Sequence, residues 1–271
     1  MYKISSKKKL AEGTFEFRII APRIARKAKP GQFVIIRIDD KGERIPLTIA
    51  DYDESEITVL FMVAGYTTEA LSNMERGDFL LDVAGPLGNP SEIKKFGTVV
   101  LVGGGCGVAP IYPQAKALKA KGNRIISIMG FRNKSMIFWE DKIKSVSNEL
   151  IVTTDDGSYG KKGYAADALD QVVENIDRII IIGPPVMMKA TSAAMKGRNI
   201  PTIVSINSIM VDGIGMCGAC RVSINGKTKF ACVDGPEFDA FSVDFDELIN
   251  RNNTYLEEEK QVRGEGHRCL G

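Results

Sequence analysis

Continuous apolar runs that alternate with helical patterns constrain the fold of residues 97–207 more than any other feature of the sequence. Such runs, rich in Val and Ile, occur at Thr98–Val102, Arg124–Met129 and Arg178–Ile182. Because strands that are apolar on both faces are typical of a parallel sheet covered by helices, we expect an α/β fold here. Ligands of such sheets bind beyond the carboxyl ends of the strands, and this edge is the first place to seek a site.

The flanking segments have a different character. Residues 1–96 contain short β-branched and aromatic runs separated by Gly, Pro and Asp turns, with one short helical pattern at Thr67–Met74. This density of short strands predicts an antiparallel β-barrel. Residues 208–250 form a small region rich in Gly and Cys, in which Asn225-Gly226 predicts a hairpin turn. We expect residues 251–271 to be a charged C-terminal tail.

Composition excludes several classes of protein. The length of 271 residues suggests about two domains, and an apolar content of 44% is that of a globular protein. The net charge is only +2, which argues against a nucleic-acid partner. No apolar run reaches the roughly 18 residues of a membrane span, and no signal peptide begins the sequence. We therefore expect a cytoplasmic protein with no membrane partner.

A single histidine, His267, restricts the chemistry. A Ser-His-Asp triad and a two-His zinc site both lack their central residue in the rest of the chain. We therefore expect chemistry that depends on glycines, carboxylates, thiols or a bound cofactor. If a bound cofactor carries out the reaction, no catalytic acid or base is required from the protein.

A cysteine-rich loop gives the most specific motif. Asp212 is followed by Cys217, Cys220 and Cys232, and the gaps of four and two residues match those of plant-type [2Fe–2S] sites, with Asp in the first ligand position. Glycines in this loop let the backbone fold tightly around a cluster. A carboxylate is a harder ligand than a thiolate, but it can bind ferric iron.

Three alternatives remain for this loop. The same side chains can hold structural Zn²⁺, or the cysteines can be free buried thiols. Cys269 or His267 can also replace Asp212 as the fourth ligand.

Two glycine-containing loops predict a nucleotide site. The first follows an apolar strand and opens a helix, and the second lies at the end of another strand; Asp155-Asp156-Gly157 follows a third strand. Glycines let a phosphate approach the backbone, and a helix N-terminus favours its negative charge. Each loop is also an ordinary turn when taken singly, and the combination favours a nucleotide. The residues concerned are Gly103, Gly104, Gly105, Cys106, Gly107, Gly183, Pro184 and Met187.

The predicted barrel carries a third motif. Arg44 can pair with a pyrophosphate, and the hydroxyl of Thr48 can hydrogen-bond the edge of a flavin ring. Downstream, Gly65 and Thr68 open the helical segment and can present its N-terminus to a phosphate. The alternative is an exposed arginine and a helix-capping threonine.

The order of these motifs resembles the ferredoxin-reductase-type flavoproteins, and within them the group that contains the electron-transfer subunit of dihydroorotate dehydrogenase. The resemblance covers nearly the whole chain, from about Lys3 to Glu247. It implies an FAD-binding barrel over 1–96, an NAD(H)-binding α/β domain over 97–207 and a [2Fe–2S] domain over 208–250. FAD would be bound by Arg44, Pro46, Leu47, Thr48, Gly65, Thr67 and Thr68, NAD(H) by the glycine-loop residues with Asp155, Asp156 and Gly157, and the cluster by Asp212, Cys217, Cys220 and Cys232.

The resemblance also implies a function. The members with Asp at the first ligand position are small subunits of electron-bifurcating, NADH-dependent reduced ferredoxin:NADP⁺ oxidoreductases, whereas dihydroorotate-type subunits have Cys there. We therefore expect an electron-transfer flavoprotein with NAD(H) as substrate and a larger subunit carrying a second flavin and [4Fe–4S] clusters. The alternatives are a subunit of dihydroorotate dehydrogenase or sulfide dehydrogenase and, in another class, a non-catalytic zinc module.

Overall fold

The computed structural model describes residues 1–172, 174–259 and 261 of the chain. The strands are β1 Tyr2–Ala11, β2 Thr14–Ile20, β3 Phe33–Arg37, β4 Arg44–Tyr52, β5 Glu56–Met62, β6 Phe79–Leu80, β7 Asp82–Leu87, β8 Thr98–Gly104, β9 Arg124–Phe131, β10 Glu149–Thr154, β11 Lys161–Lys162, β12 Arg178–Ile182, β13 Thr202–Ser205, β14 Arg221–Ile224, β15 Lys227–Phe230 and β16 Glu237–Asp239. The α-helices are α1 Pro22–Ala25, α2 Tyr66–Asn73, α3 Val108–Ala120, α4 Glu140–Val146, α5 Ala165–Val172, α6 Pro185–Met195, α7 Ala231–Asp234 and α8 Phe245–Asn252.

The first seven strands form the predicted antiparallel barrel. Their order in the nearly closed sheet is β6-β1-β2-β5-β4-β3-β7. Alternation along each strand sends Phe17 and Ile19 of β2, and Val59 and Phe61 of β5, into the interior, where they are buried. Leu71 of α2 packs into the same core.

The helical content of this region differs slightly from the prediction. Helix α2 spans Tyr66–Asn73, one residue earlier than the predicted segment, and a second helix of one turn, α1, begins at Pro22. Proline fits this first helical position because its fixed φ suits the helix and its missing N–H needs no acceptor.

The second sheet is parallel, as the apolar runs predict. Its order is β11-β10-β9-β8-β12-β13-β16, and β8 lies at its centre. Val100 and Val102 of β8 contribute to the core on one face, whereas Val99 and Leu101 contribute to the core on the other. Burying each such side chain contributes about 1.5–3 kcal/mol to the stability of the fold, so the cores on both faces of the sheet hold β8 in place.

The C-terminal region is joined to the parallel sheet. The predicted hairpin forms from β14 and β15, with Asn225 and Gly226 at φ 49° and 71°. The sequence pattern did not reveal β16, which pairs antiparallel with β13 and becomes the edge strand of the parallel sheet. Cys220 and Cys232 are buried in the same core as Val100 of β8, so the cysteine region is packed against the sheet.

Across the residues that the structure describes, no helix combines the length and the apolar character needed to cross a bilayer.

Candidate functional site

The barrel motif lies in the first half of β4, which pairs with β3 from Arg37↔Arg44 to Phe33↔Thr48. Pro46, Leu47 and Thr48 are half-buried. The guanidinium of Arg44 lies 3.7 Å from the carboxylate of Asp82, and both side chains are partly exposed. Because an exposed pair of this kind contributes little stability, Arg44 can exchange its partner for a pyrophosphate at small cost.

Side-chain hydrogen bonds fix the start of α2. Thr68 Oγ1 accepts hydrogen bonds from the backbone N–H groups of Gly65 and Ala64, at 3.0 and 2.9 Å, and so fixes the entry into the helix. Thr67 is buried and donates its hydroxyl to Glu43 over 2.7 Å. The Glu259 carboxylate lies beside Gly65, where a Cβ would stand 3.5 Å from its Oε2 atom.

The two glycine loops of the parallel sheet come together. Strands β8 and β12 are neighbours, with Gly103 opposite Ile182. A Cβ on Gly107 would overlap the carbonyl oxygen of Ile182, and one on Gly104 would overlap the sulfur of Met187. At Gly107 the contact is with backbone, so only glycine permits this approach, whereas at Gly104 the flexible side chain of Met187 would have to move.

The remaining residues of this loop pair are placed around the same contact. Gly105–Gly107 form a 3₁₀ turn, with Gly105 at φ 53°, and α3 follows directly. Gly183 packs against Met187, and Pro184 precedes the first residue of α6. The two loops therefore lie in contact, and each leads into a helix N-terminus, that of α3 or α6.

Cys106 lies in the 3₁₀ turn of the first loop. Burial raises the pKa of its thiol to about 11. The thiol is therefore protonated at neutral pH and acts there as a small neutral side chain.

The third segment of the predicted nucleotide site lies farther from the contact between the two glycine loops. Asp155, Asp156 and Gly157 follow β10, which is separated from β8 by β9. They share the carboxyl edge of the sheet with the glycine loops, but two strand spacings of about 4.8 Å lie between them. Hydrogen bonds from Ser158 lower the pKa of Asp156, so its exposed carboxylate stays ionised. A carboxylate at this distance suits the ribose hydroxyls of a nucleotide rather than its phosphates.

The cysteine loop places two of its thiols together. Cys220 and Cys232 are both buried, and their Sγ atoms lie 3.3 Å apart, whereas Cys217 is exposed. Burial and the neighbouring Cys220 raise the pKa of Cys232 to about 12. Two buried thiols without a disulfide between them suit a metal centre, because a metal binds them as thiolates and offsets the cost of burial.

Asp212 is turned toward the backbone of the same loop. Its carboxylate accepts hydrogen bonds from the N–H groups of Ile214, at 3.0 Å, and Cys217, at 2.7 Å. These bonds lower the pKa of Asp212, the Ile214 bond having the largest effect. Gly213, Gly215 and Gly218 all have positive φ, between 68° and 85°, which makes the tight loop possible.

The four predicted ligands are thus close in the fold but are not gathered around one point. Within residues 1–172, 174–259 and 261, no three Cys, His, Asp or Glu side chains converge as a metal site. Asp212, Cys217 and Cys220 of the glycine-rich loop, with Cys232 of α7, nevertheless fit a thiolate-ligated iron centre in their donor chemistry. The alternative fourth ligands, His267 and Cys269, lie outside the described residues.

Two arginines near the cysteine loop were missed from the sequence. Arg251 Nη2 donates to the carbonyl oxygen of Ala219 at 3.0 Å, and Arg221 Nη1 donates to that of Gly218 at 3.3 Å. No local pattern signals the first contact, because Arg251 lies 32 residues from Ala219.

Comparison with known proteins identifies relatives over the whole chain. Residues 207–244 match the family model of the iron–sulfur cluster binding domain of dihydroorotate dehydrogenase B. A Thermotoga maritima homologue of the electron-transfer subunit of dihydroorotate dehydrogenase B (NAD⁺) is 50% identical over 95% of this chain and 92% of that protein. The electron-transfer subunit from Geobacillus thermodenitrificans is 33% identical over 89% and 96% of the two chains.

Two solved structures have the same fold as this chain. A chain from the structure of an NADH-dependent reduced ferredoxin-NADP oxidoreductase is 47% identical and superposes with a TM-score of 0.93, covering 100% of this chain and 98% of that one. Phthalate dioxygenase reductase shares the fold, with a TM-score of 0.60 and 14% identity over 85% and 92% of the chains.

Proposed function

The chain belongs to the family of the electron-transfer subunit of dihydroorotate dehydrogenase B, and from that premise we propose that it is the flavin- and [2Fe–2S]-containing subunit of an electron-bifurcating, NADH-dependent reduced ferredoxin:NADP⁺ oxidoreductase. The observation that carries this proposal is the full-length match, at TM-score 0.93 and 47% identity, to a chain of such an oxidoreductase. Asp212 at the first ligand position supports the same assignment.

The barrel supplies the FAD site. Arg44 and the N-terminal turn of α2 around Gly65 would hold the pyrophosphate, and Thr48 would hydrogen-bond the ring edge. Pro46 and Leu47, half-buried on the same strand, would cover an apolar part of the cofactor.

The carboxyl edge of the parallel sheet supplies the NAD(H) site. Positions 103, 104, 105 and 107 carry no side chains, so that a phosphate would be able to approach the backbone N–H groups at the start of α3. Asp156 would accept hydrogen bonds from ribose hydroxyls. The neutral thiol of Cys106 brings no charge to this loop.

When bound, FAD exchanges a hydride with NAD(H) and passes single electrons to the [2Fe–2S] cluster, because a flavin handles both two-electron and one-electron steps. The residues of the chain bind and orient the two cofactors and the nucleotide. Asp212, Cys217, Cys220 and Cys232 would ligate the cluster, with Cys220 and Cys232 shielding it from water on the buried side.

A larger partner subunit is part of the proposal. Apolar side chains are exposed around the cysteine loop, including Ile214, Met216 and Val233, of which Met216 is 82% exposed. An exposed apolar patch of this kind is typical of an interaction surface. We assign it to the larger subunit, which would carry the second flavin and the [4Fe–4S] clusters and perform the bifurcation.

Relatives that are electron-transfer subunits of dihydroorotate dehydrogenase B, or a homologue of one, support a second candidate function, as the corresponding subunit of that enzyme. Affinity purification from the native cell separates these functions, because the larger subunit that accompanies the chain differs in each case. Recovery of a dihydroorotate dehydrogenase catalytic subunit would contradict the first assignment.

Cofactor analysis of one anaerobic sample tests the assignment of the sites. We expect FAD, iron and acid-labile sulfide, with about two iron atoms per chain for a [2Fe–2S] cluster. Zinc in place of iron, with no absorbance beyond about 400 nm, would instead identify a zinc module.

A further inference from the structure

Two positively charged side chains hold the segment between Cys217 and Cys220. That segment consists of Gly218 and Ala219, and each of its two carbonyl oxygens accepts a hydrogen bond from an arginine. Arg251 Nη2 lies 3.0 Å from the oxygen of Ala219, and Arg221 Nη1 lies 3.3 Å from the oxygen of Gly218. Both guanidinium groups therefore hydrogen-bond the backbone that joins two of the proposed cluster ligands.

Arg251 is carried by a well-anchored helix. Helix α8 begins at the N-cap Asp244, whose carboxylate accepts from the N–H of Glu247 at 2.9 Å. Phe245 and Leu248 are buried in the core that also contains Cys220 and Cys232. Because the helix is fixed to the ligands' own core, the part-buried guanidinium of Arg251 keeps its position relative to the loop.

Arg221 is held less firmly. It begins β14, and its backbone N–H also approaches the Gly218 carbonyl, at 3.4 Å. Its side chain is exposed, so water and salt screen its charge more strongly than that of Arg251. Both arginines line a pocket of about 230 Å³ between the loop and α8.

Neither arginine has an acidic partner in the described part of the chain. The ion pairs found there include Lys189 with Asp246 and Lys229 with Asp234, but none involves Arg221 or Arg251. Within the described residues the guanidinium of Arg251 therefore contacts the Ala219 carbonyl and makes no ion pair, although Glu247 lies four positions earlier on the same helix.

We propose that Arg251 is a positioning residue for the cluster, which fixes the Cys217–Cys220 segment and raises the reduction potential of the iron centre through its charge. Reduction adds negative charge to a [2Fe–2S] centre, so a nearby cation stabilises the reduced form. Arg221 acts in the same direction and more weakly, because it is exposed. This inference rests on the proposed function, in which the loop holds a [2Fe–2S] cluster.

The test is a potentiometric titration of the full-length protein in its complex, with the cluster followed by EPR. In Arg251→Gln, which removes the charge and keeps a hydrogen-bond donor, we expect a more negative midpoint potential. A tenfold change in the reduction equilibrium constant would correspond to 59 mV for one electron. Arg251→Lys keeps the charge and should stay near the wild-type value.

Arg124→Gln is the matched control, since Arg124 is an exposed arginine at the start of β9 that pairs with Glu149. We expect no shift in this variant. Arg221→Gln should shift the potential in the same direction as Arg251→Gln but by less. Because Arg221 is exposed, Arg221→Gln can still be used to test the proposal if Arg251→Gln loses its iron.

The inference is overturned if Arg251→Gln retains its iron and has the same potential as Arg124→Gln. It is equally overturned if Arg251→Gln does not bind iron and the midpoint potential of Arg221→Gln is unchanged. A wild-type protein without iron or an EPR signal would instead contradict the proposed function, so the two failures are distinguishable.

Discussion

Gln114 Nε2 donates a hydrogen bond to Glu237 Oε1 over 2.9 Å, and so joins α3 to the edge strand β16. Ser91 Oγ donates to the same oxygen at 2.5 Å from the segment that links the barrel to the parallel sheet. The part-buried carboxylate of Glu237 therefore connects β16, helix α3 and the segment before the parallel sheet, which are far apart in the sequence.

This carboxylate gives a pH dependence. Burial raises the pKa of Glu237 above its ordinary value of 4.5, so the folded state binds more protons than the unfolded state between these two values. The free energy of unfolding contributed by Glu237 therefore falls as pH rises from 4.5 through the raised pKa. In Glu237→Gln we expect a flatter profile of unfolding free energy against pH, measured by urea denaturation. Identical profiles for the variant and the wild type would contradict this expectation.

Asp212 is predicted to be needed for the iron centre and not for the flavin. Asp212→Ala removes a proposed ligand together with the acceptor for the N–H groups of Ile214 and Cys217. We expect lower iron content or a less stable cluster, with FAD still bound. Asp212→Asn keeps a hydrogen-bond acceptor without the charged ligand and separates the two roles. Unchanged iron and an unchanged EPR signal in Asp212→Ala would point to Cys269 or His267 as the fourth ligand.

Gly107 is predicted to be intolerant of any side chain. In Gly107→Ala the new Cβ would overlap the Ile182 carbonyl oxygen, which forces the two glycine loops apart. We expect a loss of about 1–3 kcal/mol in the free energy of unfolding and weaker binding of NADH.

Gly105→Ala is the control within the same loop. Its Cβ has open space, and the φ of 53° adds a conformational cost of about 1–2 kcal/mol. We expect it to bind NADH more tightly than Gly107→Ala does. Equal NADH dissociation constants for the two variants would show that the loop contact does not shape the site.

Cys106 is predicted to be a poorly reactive thiol. Its raised pKa of about 11 leaves little thiolate at neutral pH. In the cluster-free chain, alkylation by iodoacetamide at pH 8, followed by mass spectrometry, should modify the exposed Cys217 well before Cys106. Modification of Cys106 first would mean that its thiol is ionised in solution.

The sequence predicts those features that local patterns determine. The apolar runs predict the parallel sheet, Asn225-Gly226 predicts the hairpin, and the spacing from Asp212 to Cys220 predicts the iron–sulfur domain. Each depends on residues near one another in the chain, where periodicity and turn chemistry are informative.

Contacts between distant segments are not predictable in this way. Gln114 and Glu237 are 123 residues apart, and Arg251 meets Ala219 over 32 residues. The short strand β16 has only three residues and no alternation that would identify it. Its position depends on the free edge of β13, which exists only once the sheet has formed.

The central claim is that electrons pass from NADH through a bound flavin to an iron–sulfur cluster held near Cys220 and Cys232. Anaerobic titration of the purified complex with NADH, followed by visible absorbance and EPR, tests it most directly. We expect the flavin absorbance to bleach and the EPR signal of a reduced [2Fe–2S] cluster to appear, with NADPH acting more slowly on this flavin. A complex without the EPR signal of a [2Fe–2S] cluster, or one in which NADPH reduces this cluster faster than NADH does, would contradict it.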